Sequence, residues 1–173
     1  MTFKAINAKA KAILSTFNDF LLPIKVEEIA KMRGLKVLPY PLENEVSGIL
    51  VIEGQLGTIG YNQHESRVRR RFTIAHELGH FELHRDQSQL FVDKTFKVMF
   101  RSTAPSIESS NLRLEREANA FAASLLMPDD LVNAEIENME FDLGSEESIK
   151  ELAKRFDVST TAMYYRMTNL GKL

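Results

Sequence analysis

His76-Glu77-Leu78-Gly79-His80 is the stretch of this sequence whose residue types and spacing could do chemistry. Residues four apart on a helix share one face. Both imidazoles could therefore reach a single divalent ion at about 2.0–2.1 Å. Glu77 projects one step round the helix, beside the coordination position such an ion leaves open. A carboxylate placed there can take a proton from a polarised water. Phe72, Ile74, Ala75, Leu78, Phe81 and Leu83 make the same segment apolar nearly all round, so the helix is expected to be buried. Two histidines and a glutamate on a buried helix carry a desolvation cost that a bound cation would offset.

Such a site needs a third protein ligand. Leu83 and Asp86 stand where a metzincin would continue with Gly and His, which excludes that class. His84 lies one further turn along, but two turns separate it from His76, about 12 Å on a straight helix. One ion cannot bridge that span, and a structural or rim role is expected for His84. Downstream, Glu115, Ala118, Asn119 and Ala122 share one helical face. The alanines would let this helix approach the first closely. Glu115 is then the expected third ligand, with Glu117 as the alternative. Asn119 is expected to orient a ligand histidine by a hydrogen bond.

The elements that must position these groups can be read from hydrophobic period and turn chemistry. Residues 5–17 predict a helix in which Ala5, Ala8, Ala12 and either Ile13 or Phe17 fall near helical spacing, and residues 24–33 a second, ended by Gly34. Leu35 to Tyr40 reads as an edge strand. Ser47 to Glu53 and Leu56 to Tyr61 read as a hairpin turning at Glu53-Gly54. Asn62 with Glu65 predicts a capping box and a helix from about Gln63 to His84. Strands are possible at Gln89 to Val92 and at Phe96 to Phe100. Ser109, Ser110 and Asn111 could cap the helix that carries Glu115 and runs to about Met127. Pro128 is placed to start another, and Phe141 to Ser145 reads as a linker. Ser148 with Glu151 caps a helix to Phe156, and a last helix runs from the Val158-Ser159 turn to Leu170.

Bulk composition narrows the function classes. The 173 residues are 44% hydrophobic, enough for a real core. A net charge of -2 argues against nucleic-acid binding as the main role. With no cysteine, thiolate metal sites, disulfides and Cys nucleophiles are excluded. No membrane-length apolar run or secretion signal stands out, so a cytoplasmic location is expected. The cluster of Arg67, Arg69, Arg70 and Arg71 is read as a solvated first turn or a set of carboxylate partners, in preference to a substrate or nucleic-acid patch. Tyr61, Tyr164 and Tyr165 are read as core-packing residues first, and as candidates for stabilising an oxyanion only second, without a choice among them.

Arg71-Phe72-Thr73-Ile74-Ala75-His76-Glu77-Leu78-Gly79-His80, together with Glu115 to Pro128 ending Leu125-Leu126-Met127-Pro128, resembles the ImmA/IrrE family of metallopeptidases over roughly residues 24 to 170. The resemblance implies a gluzincin-like Zn2+ site of His76, His80 and Glu115, with Glu77 catalytic. It also implies a substrate, a helix-turn-helix repressor cut to derepress stress-response or mobile-element genes. An N/O site of this kind could also hold Mn, Co or Fe.

The expectation is an α+β fold. A small N-terminal sheet of about three strands packs on the helices that carry the zinc site. Residues 1–138 form the metallopeptidase domain, and 139–173 a helical, helix-turn-helix-like extension. Two rivals stand beside an endopeptidase: a non-catalytic, antitoxin-type binding protein on a peptidase fold, and a DNA-binding regulator acting through the C-terminal helices. The intact Glu77 opposes the first and the acidic balance the second.

Overall fold

A computed structural model of the chain describes residues 1–17, 21–43, 45–94, 105–138 and 145–173, with the backbone alone at 94 and 105–110. The expected strand at Phe96 to Phe100 and most of the linker from Phe141 fall outside these residues. Among the described residues there are seven helices and four strands: α1 Phe3–Thr16, α2 Val26–Met32, β1 Leu35–Tyr40, β2 Val46–Glu53, β3 Leu56–Asn62, α3 Arg67–His84, β4 Leu90–Lys94, α4 Pro105–Leu126, α5 Asp129–Asn138, α6 Glu146–Phe156 and α7 Thr160–Asn169. This is the α+β architecture the sequence predicts, with one strand more than expected. No described helix is long and apolar enough to cross a membrane.

The sheet runs β1-β3-β2-β4. The β2–β3 hairpin turns at Gly54, whose φ of +64° a side chain would resist. β1 adds parallel to β3, and β4 adds antiparallel to β2. Register shifts between β2 and β4: Val46 faces Lys94 but Gly48 faces Asp93, so Ser47 is an inserted, fully buried residue. Such a bulge re-aims the side chains around it.

Helix α3 lies on the sheet and packs closely on α4, and α1 packs across α4. The buried stripe of α1 is Ile6, Ala10, Ile13 and Leu14; of the residues expected at helical spacing Ile13 is buried, while Ala5, Ala8 and Ala12 are exposed. Branched aliphatic side chains remove more apolar area from water than alanines do, so they set the face. The cap of α3 also differs from expectation. Asn62 is the last residue of β3, paired with Tyr40, and its amide donates to the carbonyls of Leu42, Glu43 and Val46. Ser66 is the cap, its hydroxyl accepting from the Arg69 amide.

Ile149, Leu152 and Phe156 of α6 and Met163 and Met167 of α7 belong to the same apolar cluster as Leu78, Phe121 and Leu125. Arg166 of α7 is buried, its Nε donating to the Met127 carbonyl at 2.8 Å. Arg155 pairs with Glu135 of α5. Of these two cations, Arg166 is used in internal packing and Arg155 in a surface ion pair.

Candidate metal centre

Helix α3 buries one histidine-rich face completely: His76, Glu77, His80 and His84 are each 0–2% exposed. Its close approach to α4 requires Gly79. A Cβ there would meet Ala118 Cα and O at 3.2 Å and Phe121 Cδ1 at 3.1 Å. The small residues expected to bring the two helices together do so at this crossing, and the crossing brings Glu115 over His76 and His80.

Three side chains form a compact triangle, with a different Glu115 oxygen facing each histidine. His76 Nε2 and His80 Nε2 are 3.0 Å apart, and the Glu115 oxygens lie 3.1 Å from the first and 3.2 Å from the second. A tetrahedral ion with bonds of about 2.0–2.1 Å needs its ligands roughly 3.3 Å apart. The donor set thus fits a divalent cation, and two imidazoles with one carboxylate match zinc in chemistry. His76 and His80 direct their other nitrogens away from the triangle. His76 Nδ1 lies 2.9 Å from Asn119 Oδ1, so the N–H on that side donates to the amide oxygen and Nε2 is turned to the triangle. The His80 ring stacks on Phe91 of β4, with centroids 4.5 Å apart.

Glu77 is wholly buried, and neither of its carboxylate oxygens has a hydrogen-bond partner. An oxygen of Glu77, one of Asp93 and a ring nitrogen of His76 all lie within 4.8 Å of one another. A buried carboxylate without a partner is costly. It is the expected state of a general base that works on a water. Gly48 of β2 makes room for it: a Cβ there would stand 2.4 Å from Thr73 Cγ2 and 2.9 Å from Glu77 Oε1.

Left to protons alone, the centre gathers positive charge among carboxylates. Burial opposes charging His76, but the hydrogen bond to Glu115 and the Glu77 and Asp93 charges outweigh it and hold the ring up to about 9. Burial pulls His80 down to about 4, the neutral form a ligand must have. Burial pushes Glu77 up to about 8. For Glu115 burial acts upward, but the two histidine hydrogen bonds prevail and bring it to about 2. Burial also raises Asp93. Three carboxylates around two imidazoles is an environment that favours a cation.

The structure brings together His76, Glu77, His80, Glu115 and Asn119. It sets Glu117 apart, against His84. Asp93 and Gly48, which face each other across β2 and β4, were not found from sequence. The α3 arginines find partners: Arg67 and Arg71 on Asp157, Arg69 on Ser47 and Asp93, and Arg70 over the Tyr61 ring. Beside the centre lies a largely apolar cavity of about 850 Å³ between α3, α4 and α7, walled by Phe72, Arg116, Asn119, Ala123, Tyr165 and Arg166 among others.

The family model Peptidase_M78, described as the IrrE N-terminal-like domain, matches residues 30–168. The chain is 32% identical over 116 residues to the uncharacterized immunity region protein 2 of Bacillus phage phi105, covering 67% of this chain and 66% of the relative. It is 26% identical over 170 residues to the metallopeptidase ImmA of Bacillus subtilis (strain 168), covering 98% of this chain and 88% of that protein. Among solved structures, a Mycobacterium tuberculosis transcriptional regulator superposes with a TM-score of 0.65 at 17% identity, over 95% of this chain and 47% of its own.

Proposed function

The chain belongs to the IrrE N-terminal-like peptidase family, and from that membership and the centre's geometry we propose that it is a zinc-dependent endopeptidase. His76, His80 and Glu115 are the metal ligands, and Glu77 is the catalytic base. The observation that carries this reading is the pairing of a three-residue donor triangle with a buried carboxylate that has no hydrogen-bond partner. A binding protein would have no use for that carboxylate.

A bound divalent ion would polarise the scissile carbonyl and acidify water. The chain's own groups do the rest. Glu77 accepts a proton from the attacking water as the oxygen–carbon bond forms. It then returns that proton to the leaving nitrogen as the carbon–nitrogen bond breaks. Asn119 and the Phe91 stack keep the two imidazoles in place. The cavity that shares Asn119 with the centre offers room for an extended or helical stretch of polypeptide.

The substrate we propose is a helix-turn-helix repressor. The family resemblance and the immunity-region name of the phage relative support it. The test is incubation of the zinc-loaded protein with repressors encoded beside its gene, wild type against Glu77→Gln. The variant should bind zinc and lose about 10²–10⁴-fold in cleavage. Cleavage at the wild-type rate by Glu77→Gln would overturn the mechanism.

A further inference from the structure

We propose that His84 and Glu117 form a positioning pair that fixes the tautomer of His80 through a directed chain of hydrogen bonds, a proposal resting on His80 being a metal ligand. His80 Nδ1 lies 3.1 Å from His84 Nδ1, and His84 Nε2 lies 2.9 Å from Glu117 Oε2. His80 turns its Nε2 to the triangle, so that nitrogen must be bare to bind an ion. The ring proton then sits on Nδ1 and is donated to His84.

His84 can accept it only if its own Nδ1 is bare. Its proton must therefore lie on Nε2, where the Glu117 carboxylate takes the hydrogen bond. Glu117 thus selects one tautomer of His84, and His84 selects one tautomer of His80. His76 reaches the same state in a single step, through Asn119. The interposed imidazole is needed because Glu117 lies on the far side of His84, out of the triangle.

Burial makes the chain selective. His84 is 1% exposed and Glu117 8%, and the Phe91 ring covers both histidines, with centroids 4.5 Å and 6.4 Å away. Water has little access to stand in for a lost acceptor, so a wrong tautomer at His84 would present one N–H to another. The other Glu117 oxygen pairs with the Met1 amino group, which anchors the carboxylate without occupying the oxygen that His84 uses.

The experiment reads three quantities on each variant: ring-nitrogen tautomers by ¹⁵N NMR of the zinc-loaded protein, zinc affinity by chelator competition, and the melting temperature without metal. In wild type, His80 should carry its proton on Nδ1 and His84 on Nε2. His84→Phe keeps the ring's bulk and removes the acceptor. It should lower zinc affinity about 10–100-fold, the usual effect of losing a partner that orients a ligand. His84→Asn, whose Oδ1 stands where Nδ1 was, should restore most of that loss. Glu117→Ala, at the less buried end, should leave a mixture of His84 tautomers and weaken zinc binding if His84→Phe does not fold.

A merely structural pair would lower the melting temperature and leave the tautomers and zinc affinity alone, and that result overturns the proposal. So does a proton on His84 Nδ1 in wild type. If wild type shows the stated tautomers and binds zinc but cleaves nothing, the peptidase reading fails and the positioning pair stands.

Discussion

Gly48→Ala isolates the base from the metal. The added methyl would lie 2.4 Å from Thr73 Cγ2. Ordinary carbon contact is about 3.5–4.0 Å, so something must move by roughly 1 Å. Thr73 is β-branched on a buried helix and has little rotamer freedom. Glu77 Oε1, 2.9 Å from the new carbon, is the end of a longer side chain and yields first. Misplacing a reacting group by about 1 Å costs on the order of 10²-fold. We expect kcat to fall about 10²-fold. Zinc affinity should stay within about threefold, because such overpacking on β2 leaves the α3–α4 triangle untouched. Overpacking should also cost about 1–3 kcal/mol. In a chain of this size that is roughly 2–12 °C in melting temperature. Adding Thr73→Ser removes the 2.4 Å contact and should recover stability but not activity. The assay is cleavage of a quenched peptide from the substrate, beside zinc titration and thermal melts of the single and double variants. A folded Gly48→Ala protein that cleaves at the wild-type rate would refute the placement of Glu77.

Gly79→Ala should do the converse. The helix gains about 1 kcal/mol in propensity, but the methyl presses on Ala118 backbone atoms at 3.2 Å, which cannot rotate away. The helices must part by a few tenths of an ångström, comparable with the roughly 0.2 Å tolerance of metal–ligand bonds. Zinc affinity measured by chelator competition should fall about tenfold or more while the melting temperature without metal changes little. Removing metal with a chelator should abolish cleavage and lower the melting temperature by roughly 5–11 °C relative to protein at 100-fold excess over Kd, from about 2.7 kcal/mol of linkage; zinc should restore both. Burial would raise Asp129, but hydrogen bonds from Lys11 and Asn7 prevail and hold it below its usual 3.8. Its stabilising contribution is therefore present above the unfolded value and lost as pH falls through the folded one. Asp129→Asn should flatten the stability profile below about pH 4 and leave it flat near neutrality, as read by urea unfolding across pH.

What the sequence made legible is what lies along a helix. The pairing of His76 with His80, the place of Glu77 between them and the common face of Glu115 and Asn119 all follow from a 3.6-residue period, and the structure has them on that face. The family match covers both helices, over residues 30–168. What was not legible depends on pairing between distant strands. Asp93 reaches the centre because β4 joins the edge of β2, and Gly48 faces it because of a one-residue bulge at Ser47. No local pattern encodes that register. The Asn62 cap was misplaced for a related reason: the parallel partner β1 holds Asn62 in the strand, and the helix starts later, at Ser66. His84 was expected to be structural or at a rim, and it is buried. Counting turns rightly kept it away from His76, but said nothing of its contact with His80, a pair four residues apart on the same helix.

These observations divide the centre between two contacts of one helix. The α3–α4 crossing at Gly79 sets the distance between imidazoles and carboxylate, and so governs whether an ion is held. The α3–β2 crossing at Gly48 sets where the Glu77 carboxylate rests, and so governs whether a held ion is useful. Each crossing is close because a glycine lacks a Cβ, and neither glycine occupies a positive-φ turn, so conformational freedom does not explain them. Clearance does. In the reading proposed above, a cation would offset the carboxylates that crowd this enclosed helix. On that reading, the electrostatics of Glu77, Asp93 and Glu115 and the packing of the two glycines serve one requirement: a buried, acidic hollow able to take one ion.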